Sequence, residues 1–121
     1  MTFSDLKLIK PLALALDNMG YTQPTPIQEQ SIPHILLGKD IFGCAQTGTG
    51  KTAAFALPIL QSLQNKSNPN SNKRTIKALV LAPTRELALQ ISNNFSSYSK
   101  NLNVTHTTVY GGVSMGMQIK D

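Results

Sequence analysis

Hydrophobic and polar positions along these 121 residues change period several times, and each change marks an element. Pro11 followed by Leu12, Leu14, Leu16 and Met19 predicts a helix over 10–19, with proline in its first turn and Gly20 closing it. A second helix starts at Thr25-Pro26-Ile27-Gln28. There Thr25 can cap, Pro26 suits the first helical position, and Gln28 holds the capping-box position. It runs to about residue 37, with Pro33 expected to bend it and Gly38 to end it. Residues 40–44 form a short apolar run of strand length, and 51–64 a third helix in which Pro58 predicts a kink or break. The unbroken apolar run 78–82 has the pattern of a strand covered on both faces, and Pro83 stops it. From the cap Thr84 onward, Leu87, Ala88, Ile91, Phe95 and Tyr98 keep helical spacing, with Gln90, Asn93, Asn94 and Ser96 turned outward. Residues 104–110 alternate and are rich in β-branched side chains, which predicts a third strand ending at Gly111-Gly112.

Alternating strand and helix implies an α/β fold: an open, mostly parallel sheet with helices on both faces and its binding edge at the strand C-termini. Residues 1–38 read as a helical segment packed on the same domain as 39–121. Composition changes this picture little. It is 40% hydrophobic and 14% charged, has no internal repeat, no 18-residue apolar run and no signal-peptide layout, so a cytoplasmic protein is expected. One cysteine, Cys44, excludes an internal disulfide or a zinc site. Its place at the end of a buried-looking strand predicts an inert small apolar residue. Charge adds more: eleven Lys and Arg against six Asp and Glu give +5, which favours polyanionic partners. Lys66, Lys73, Arg74 and Lys77 flank the Asn/Ser-rich stretch 65–72, a solvated loop first and an RNA contact second.

The chemistry is concentrated in Ala45-Gln46-Thr47-Gly48-Thr49-Gly50-Lys51-Thr52, a phosphate loop set between an apolar run and an Ala-rich helix. Gly48 and Gly50 let the backbone turn so that successive N–H groups converge on phosphate oxygens at the positive end of a helix. Lys51 can reach the β- and γ-phosphates, and Thr52 offers a hydroxyl to a magnesium ion. The strict pattern begins with Gly, and here that position is Ala45. The loop alone leaves kinases, GTPases, transporters and helicases in play.

Three further segments narrow the choice. Gly20-Tyr21-Thr22-Gln23-Pro24-Thr25-Pro26-Ile27-Gln28, with Phe3 seventeen residues ahead of Gly20, resembles the Q motif of the DEAD-box RNA helicases. The phosphate loop is similar to that family's form, where Ala at the first position is usual. Ala82-Pro83-Thr84-Arg85-Glu86-Leu87-Ala88 resembles its motif Ia, and Tyr110-Gly111-Gly112 its following glycine pair. By eye the chain looks most like the bacterial members. The resemblance implies the N-terminal part of the first of two RecA-like domains. It also implies an adenine pocket of Phe3, Tyr21 and Gln28, with Gln28 bonding the Hoogsteen edge, beside the loop residues Gln46 to Thr52 holding ATP or ADP with magnesium on Thr52. Lys51 and Thr52 would act in catalysis. Pro83, Thr84, Arg85, Gly111 and Gly112 would bind RNA backbone, independently of sequence. The bland readings are a plain capping role for Gln28, core packing for Phe3 and Tyr21, solvation or pairing with Glu86 for Arg85, and an ordinary turn at the glycines.

The family's acidic box, its Ser-Ala-Thr motif and its second domain with the arginine finger are not in this sequence, whose only carboxylates after Lys51 are Glu86 and Asp121. Glu86 follows Pro83 inside a helix's first turn, where it suits the helix dipole rather than a metal. The expectations are therefore an incomplete sheet, self-association through exposed edges, and no turnover by this chain alone. The alternatives are a non-catalytic nucleotide- or RNA-binding module, and another phosphate-loop enzyme such as a small-molecule kinase.

Overall fold

Local capping and apolar spacing decide the helices. The computed structural model describes residues 2–46, 48, 50–65 and 75–110. A 3-10 turn over Phe3–Leu6 is followed by α1 (Lys10–Asn18), α2 (Pro26–Leu36), α3 (Lys51–Asn65) and α4 (Arg85–Tyr98). α1 ends as its glycine requires. Gly20 sits at φ +79°, and the Tyr21 N–H reaches back to the Leu16 carbonyl at 2.9 Å, closing the last turn. Pro33 and Pro58 both lie inside continuous helices, so α3 is not broken at Pro58. The Pro58 ring is buried, and its packing offsets the backbone hydrogen bond that proline removes.

The helices meet around one apolar cluster. α2 packs on α3, α3 on α4, α1 on α4, and the 3-10 turn on α2. The cluster comprises Phe3 and Leu6, Leu12 and Leu16, Ile32, then Ala53, Ala56, Leu57 and Leu60, closed by Phe95 and Tyr98. The buried alanines at the start of α3 give it a flat face, so its first turns can approach α2 closely. One buried polar side chain joins the pieces. Gln61 Oε1 accepts from the Ile9 N–H at 2.8 Å, and Gln61 Nε2 donates to the Lys7 carbonyl at 3.3 Å. This fixes the link between the 3-10 turn and α1, where Lys7 is held at φ +60°.

Among the described residues no strand forms, which corrects the expected strands at 40–44, 78–82 and 104–110. Phe42 is 95% exposed, Ile76 92% and Leu81 84%, and Cys44 is exposed rather than buried. The reason is physical. Such runs become strands when a neighbour takes their N–H and C=O groups and layers cover both faces. The described residues supply neither. The segment 104–110 keeps its period nonetheless: Val104, Thr108 and Tyr110 are half-buried while residues 105, 107 and 109 are exposed. His106, in the same register, receives or gives hydrogen bonds at 3.1 and 3.3 Å with the Ser92 and Ser96 hydroxyls, so the even positions face α4. The Lys66, Lys73 and Arg74 charges lie outside the described residues. No helix of the described residues is long and apolar enough to cross a membrane.

Candidate functional site

The phosphate loop joins an extended segment to the N-terminus of α3. Gly48 and Gly50 hold φ of +83° and +85°, the left-handed region that glycine enters without strain. The Gly50 carbonyl takes two donors, the Ala54 N–H at 3.2 Å as the first bond of α3 and Gln28 Nε2 at 3.1 Å from α2. Gly50 is required for a second reason. A Cβ there would fall on the Gln28 amide nitrogen and within 3.2 Å of Thr25 Oγ1, whereas a Cβ at Gly48 would meet open space. Lys51 reaches back across the loop, and its Nζ donates to the Ala45 carbonyl at 2.6 Å. That bond uses main chain alone, so alanine in place of glycine at 45 leaves it intact. Thr52 is half-buried in the first turn of α3, and Gln46 is exposed. Thr47 and Thr49 lie outside the described residues.

Gln28 connects α2 to this loop from a position only 5% exposed. Its Oε1 accepts from the Thr25 N–H at 2.9 Å, the side-chain half of a capping box. Both ends of the amide are thus engaged by the protein, with one lone pair and one N–H left over. Thr25 Oγ1 is buried beside the loop without a hydrogen-bond partner.

The two aromatic candidates part company. Phe3 is 6% exposed in the core, with its N–H bonded to the Thr22 carbonyl at 3.3 Å, so core packing describes it. Tyr21 is 42% exposed. Its phenol neighbours that of Tyr98, whose pKa is pushed up to about 12, first by burial and then by Tyr21.

At the start of α4, Thr84 caps the helix by accepting from the Leu87 N–H at 3.2 Å. Pro83, Thr84 and Arg85 are all exposed, around a helix N-terminus that presents free N–H groups. Arg85 finds an aromatic partner rather than Glu86: its Cζ lies 5.0 Å from the centroid of the Tyr110 ring. A shallow cleft beside them is lined by Leu89, Ser92, His106, Thr107, Thr108 and Tyr110. Gly111 and Gly112 lie outside the described residues. Sequence reasoning missed His106 and gave Tyr110 no role of its own. The period-2 pattern of 104–110 was the available signal, since it sends both toward α4.

The helical frame and its glycine loop match those of known phosphate-loop helicase domains. The chain aligns with a DEAD box protein from Methanococcus jannaschii at a TM-score of 0.86 and 38% identity, over 99% of this chain and 31% of that one. It aligns with the RNA helicase Prp28 from Chaetomium thermophilum, solved bound to ADP, at 0.83 and 38%, over 97% and 28%. The family model for the DEAD/DEAH box helicase matches residues 25–121. The chain belongs to the DEAD/DEAH box helicase family. It is 51% identical over 120 residues to the ATP-dependent rRNA helicase RRP3 of Meyerozyma guilliermondii, covering 99% of this chain and 24% of that protein. It is 48% identical to RRP3 of Candida albicans, over 99% and 21%. The chain thus spans about a quarter of the length of these curated relatives. None of these four is bacterial, so the likeness to bacterial members rests on the look of the motifs alone.

Proposed function

We propose that this chain is the part of an ATP-dependent RNA helicase that grips adenine nucleotide and the RNA backbone. One observation carries the reading: the Gln28 amide, in the Q-motif-like segment, is bonded to the Gly50 carbonyl of the phosphate loop. The two segments therefore stand side by side although 22 residues separate them in sequence, which supports reading them as base reader and phosphate cradle of one pocket. The names of the relatives, ATP-dependent rRNA helicases, agree with it, as does the ADP bound to Prp28.

In this reading Gln28 uses its remaining lone pair and N–H on the N6 amine and N7 of adenine, while Tyr21 covers the base face. The left-handed glycines and the α3 N-terminus receive the phosphates, and Lys51 exchanges the Ala45 carbonyl for phosphate oxygen. The open space beside Gly48 fits a polar ligand here. Magnesium bound with the nucleotide would neutralise phosphate charge. Among the described residues no cluster of acids, histidines or cysteines could hold a metal by itself, so Thr52 and the phosphates would be its anchors. The chain binds without turning over, because Glu86 stands in the first turn of α4 and not where a carboxylate would position an attacking water. The uncovered apolar segments around Phe42, Ile76 and Leu81 lead it to self-associate; a monomeric mass by light scattering at high concentration contradicts this.

Pro83, Thr84 and Arg85 take the RNA backbone at the N-terminus of α4. Fluorescence anisotropy with two single-stranded RNAs of unrelated sequence should give affinities within a few-fold of one another. Both should fall with salt, and Arg85→Ala should lower the logarithmic salt slope by about 0.7, the loss of one phosphate contact. A strong preference for one sequence, or a slope indifferent to Arg85, overturns the RNA assignment.

A further inference from the structure

The segment 104–110 runs along α4 with no sheet partner among the described residues, and its register delivers one aromatic ring to the helix's first residue. His106 is fixed against Ser92 and Ser96, and its ring lies 6.3 Å from that of Phe95. Four residues on, the same face carries Tyr110 to the start of α4, where the ring meets the Arg85 guanidinium at 5.0 Å. That is within the range of a cation–π interaction. We propose that Tyr110 is a positioning residue: its ring holds Arg85 at the α4 N-terminus so that the guanidinium is ready to receive an RNA phosphate. The proposal rests on the RNA reading of motif Ia above.

The choice of an aromatic partner is what makes this work. A guanidinium donates hydrogen bonds through its N–H edges and attracts an aromatic ring through the ring's negative face. A carboxylate partner would occupy the donors that a phosphate needs. The Tyr110 ring restrains the long, mobile side chain and leaves those donors for the ligand, so the entropy of fixing Arg85 is spent before RNA arrives. Thr84 adds rigidity from the other side by capping the helix on which Arg85 is carried.

The test is a double-mutant cycle on the whole 121-residue chain with Tyr110→Leu, Tyr110→Phe, Arg85→Ala and Arg85→Ala/Tyr110→Leu, read by anisotropy with an unstructured oligouridine. Tyr110→Leu should weaken binding about two- to five-fold, and Tyr110→Phe should restore it, because the ring carries the contact with the guanidinium. In the Arg85→Ala background, Tyr110→Leu should change nothing. If Arg85→Ala weakens binding and Tyr110→Leu weakens it equally in both backgrounds, or not at all, the positioning role is overturned while the RNA reading stands. If Arg85→Ala itself has no effect, the RNA reading fails and the proposal falls with it. A second readout needs no RNA: the Arg85 side-chain NMR resonances should lose a ring-current shift in Tyr110→Leu and keep it in Tyr110→Phe, and an unchanged spectrum in both contradicts the contact.

Discussion

Gly50→Ala should destabilise the chain by about 2–5 kcal/mol, while Gly48→Ala should cost only about 1–2 kcal/mol. The two glycines have nearly the same backbone angle, +85° and +83°, so the left-handed penalty for an added Cβ is common to both. They differ in what the Cβ meets. At 48 there is open space, but at 50 it strikes the Gln28 amide, whose bonds tie α2 to the start of α3. Pushing that amide aside leaves a buried donor and acceptor unmade, which accounts for the difference. Denaturant unfolding of the two variants beside the wild type measures it. Equal losses at both positions would mean that the Gln28 contact with the loop is not part of the folded state.

Replacing Lys51 by Ala should weaken ADP binding about ten- to hundred-fold, in keeping with the loss of a charged hydrogen bond to phosphate. Stability should move by less than about 0.5 kcal/mol, because Lys51 is exposed and its bond to the Ala45 carbonyl has water as a ready substitute. The combination separates a binding role from a structural one. Calorimetric titration with ADP and a parallel melt of the same samples check it. Loss of stability together with binding would recast Lys51 as a brace for the loop. ATP turnover by the unaltered chain that vanished in this variant would contradict the account of a cradle without a catalyst.

How much of this was legible in the sequence depends on how local the signal is. The caps at Thr84 and Thr25, the proline at the start of α2 and the glycine closing α1 act within one turn, so the pattern placed the helix ends to within a residue or so. The strands were not legible in the same way. The runs at 78–82 and 40–44 encode burial on two faces, a property of neighbours rather than of the run, and among the described residues Leu81 and Phe42 stand exposed instead. Of the kink or break expected at Pro58 the break does not occur, for a related reason: burial against the core outweighs a local cost that a window of sequence can see.

The site divides likewise. The phosphate loop is contiguous and readable, and the resemblance joined Gln28 to it. The bond from the Gln28 amide to the Gly50 carbonyl is a tertiary fact, as is the partnership of Arg85 with Tyr110 across a 25-residue interval. Phe3 was legible as a core residue. Its place in the core cluster was favoured by its apolar neighbours Leu6 and Leu8, and that packing is compatible with the role the motif implies beside the adenine pocket.

The central claim is that Gln28 and the phosphate loop form one adenine-selective pocket, and calorimetric titration of the chain with ADP and with GDP, each in magnesium, tests it most directly. Adenine offers the Gln28 amide a donor and an acceptor, whereas guanine offers two acceptors and leaves one group of the pair opposed. The account predicts that ADP binds at least about tenfold more tightly than GDP, the cost of one unmade buried hydrogen bond. Gln28→Glu, which keeps the acceptor for the Thr25 N–H, should erase most of that preference. Equal binding of ADP and GDP by the unaltered chain would contradict the account, leaving a phosphate loop that does not read its base.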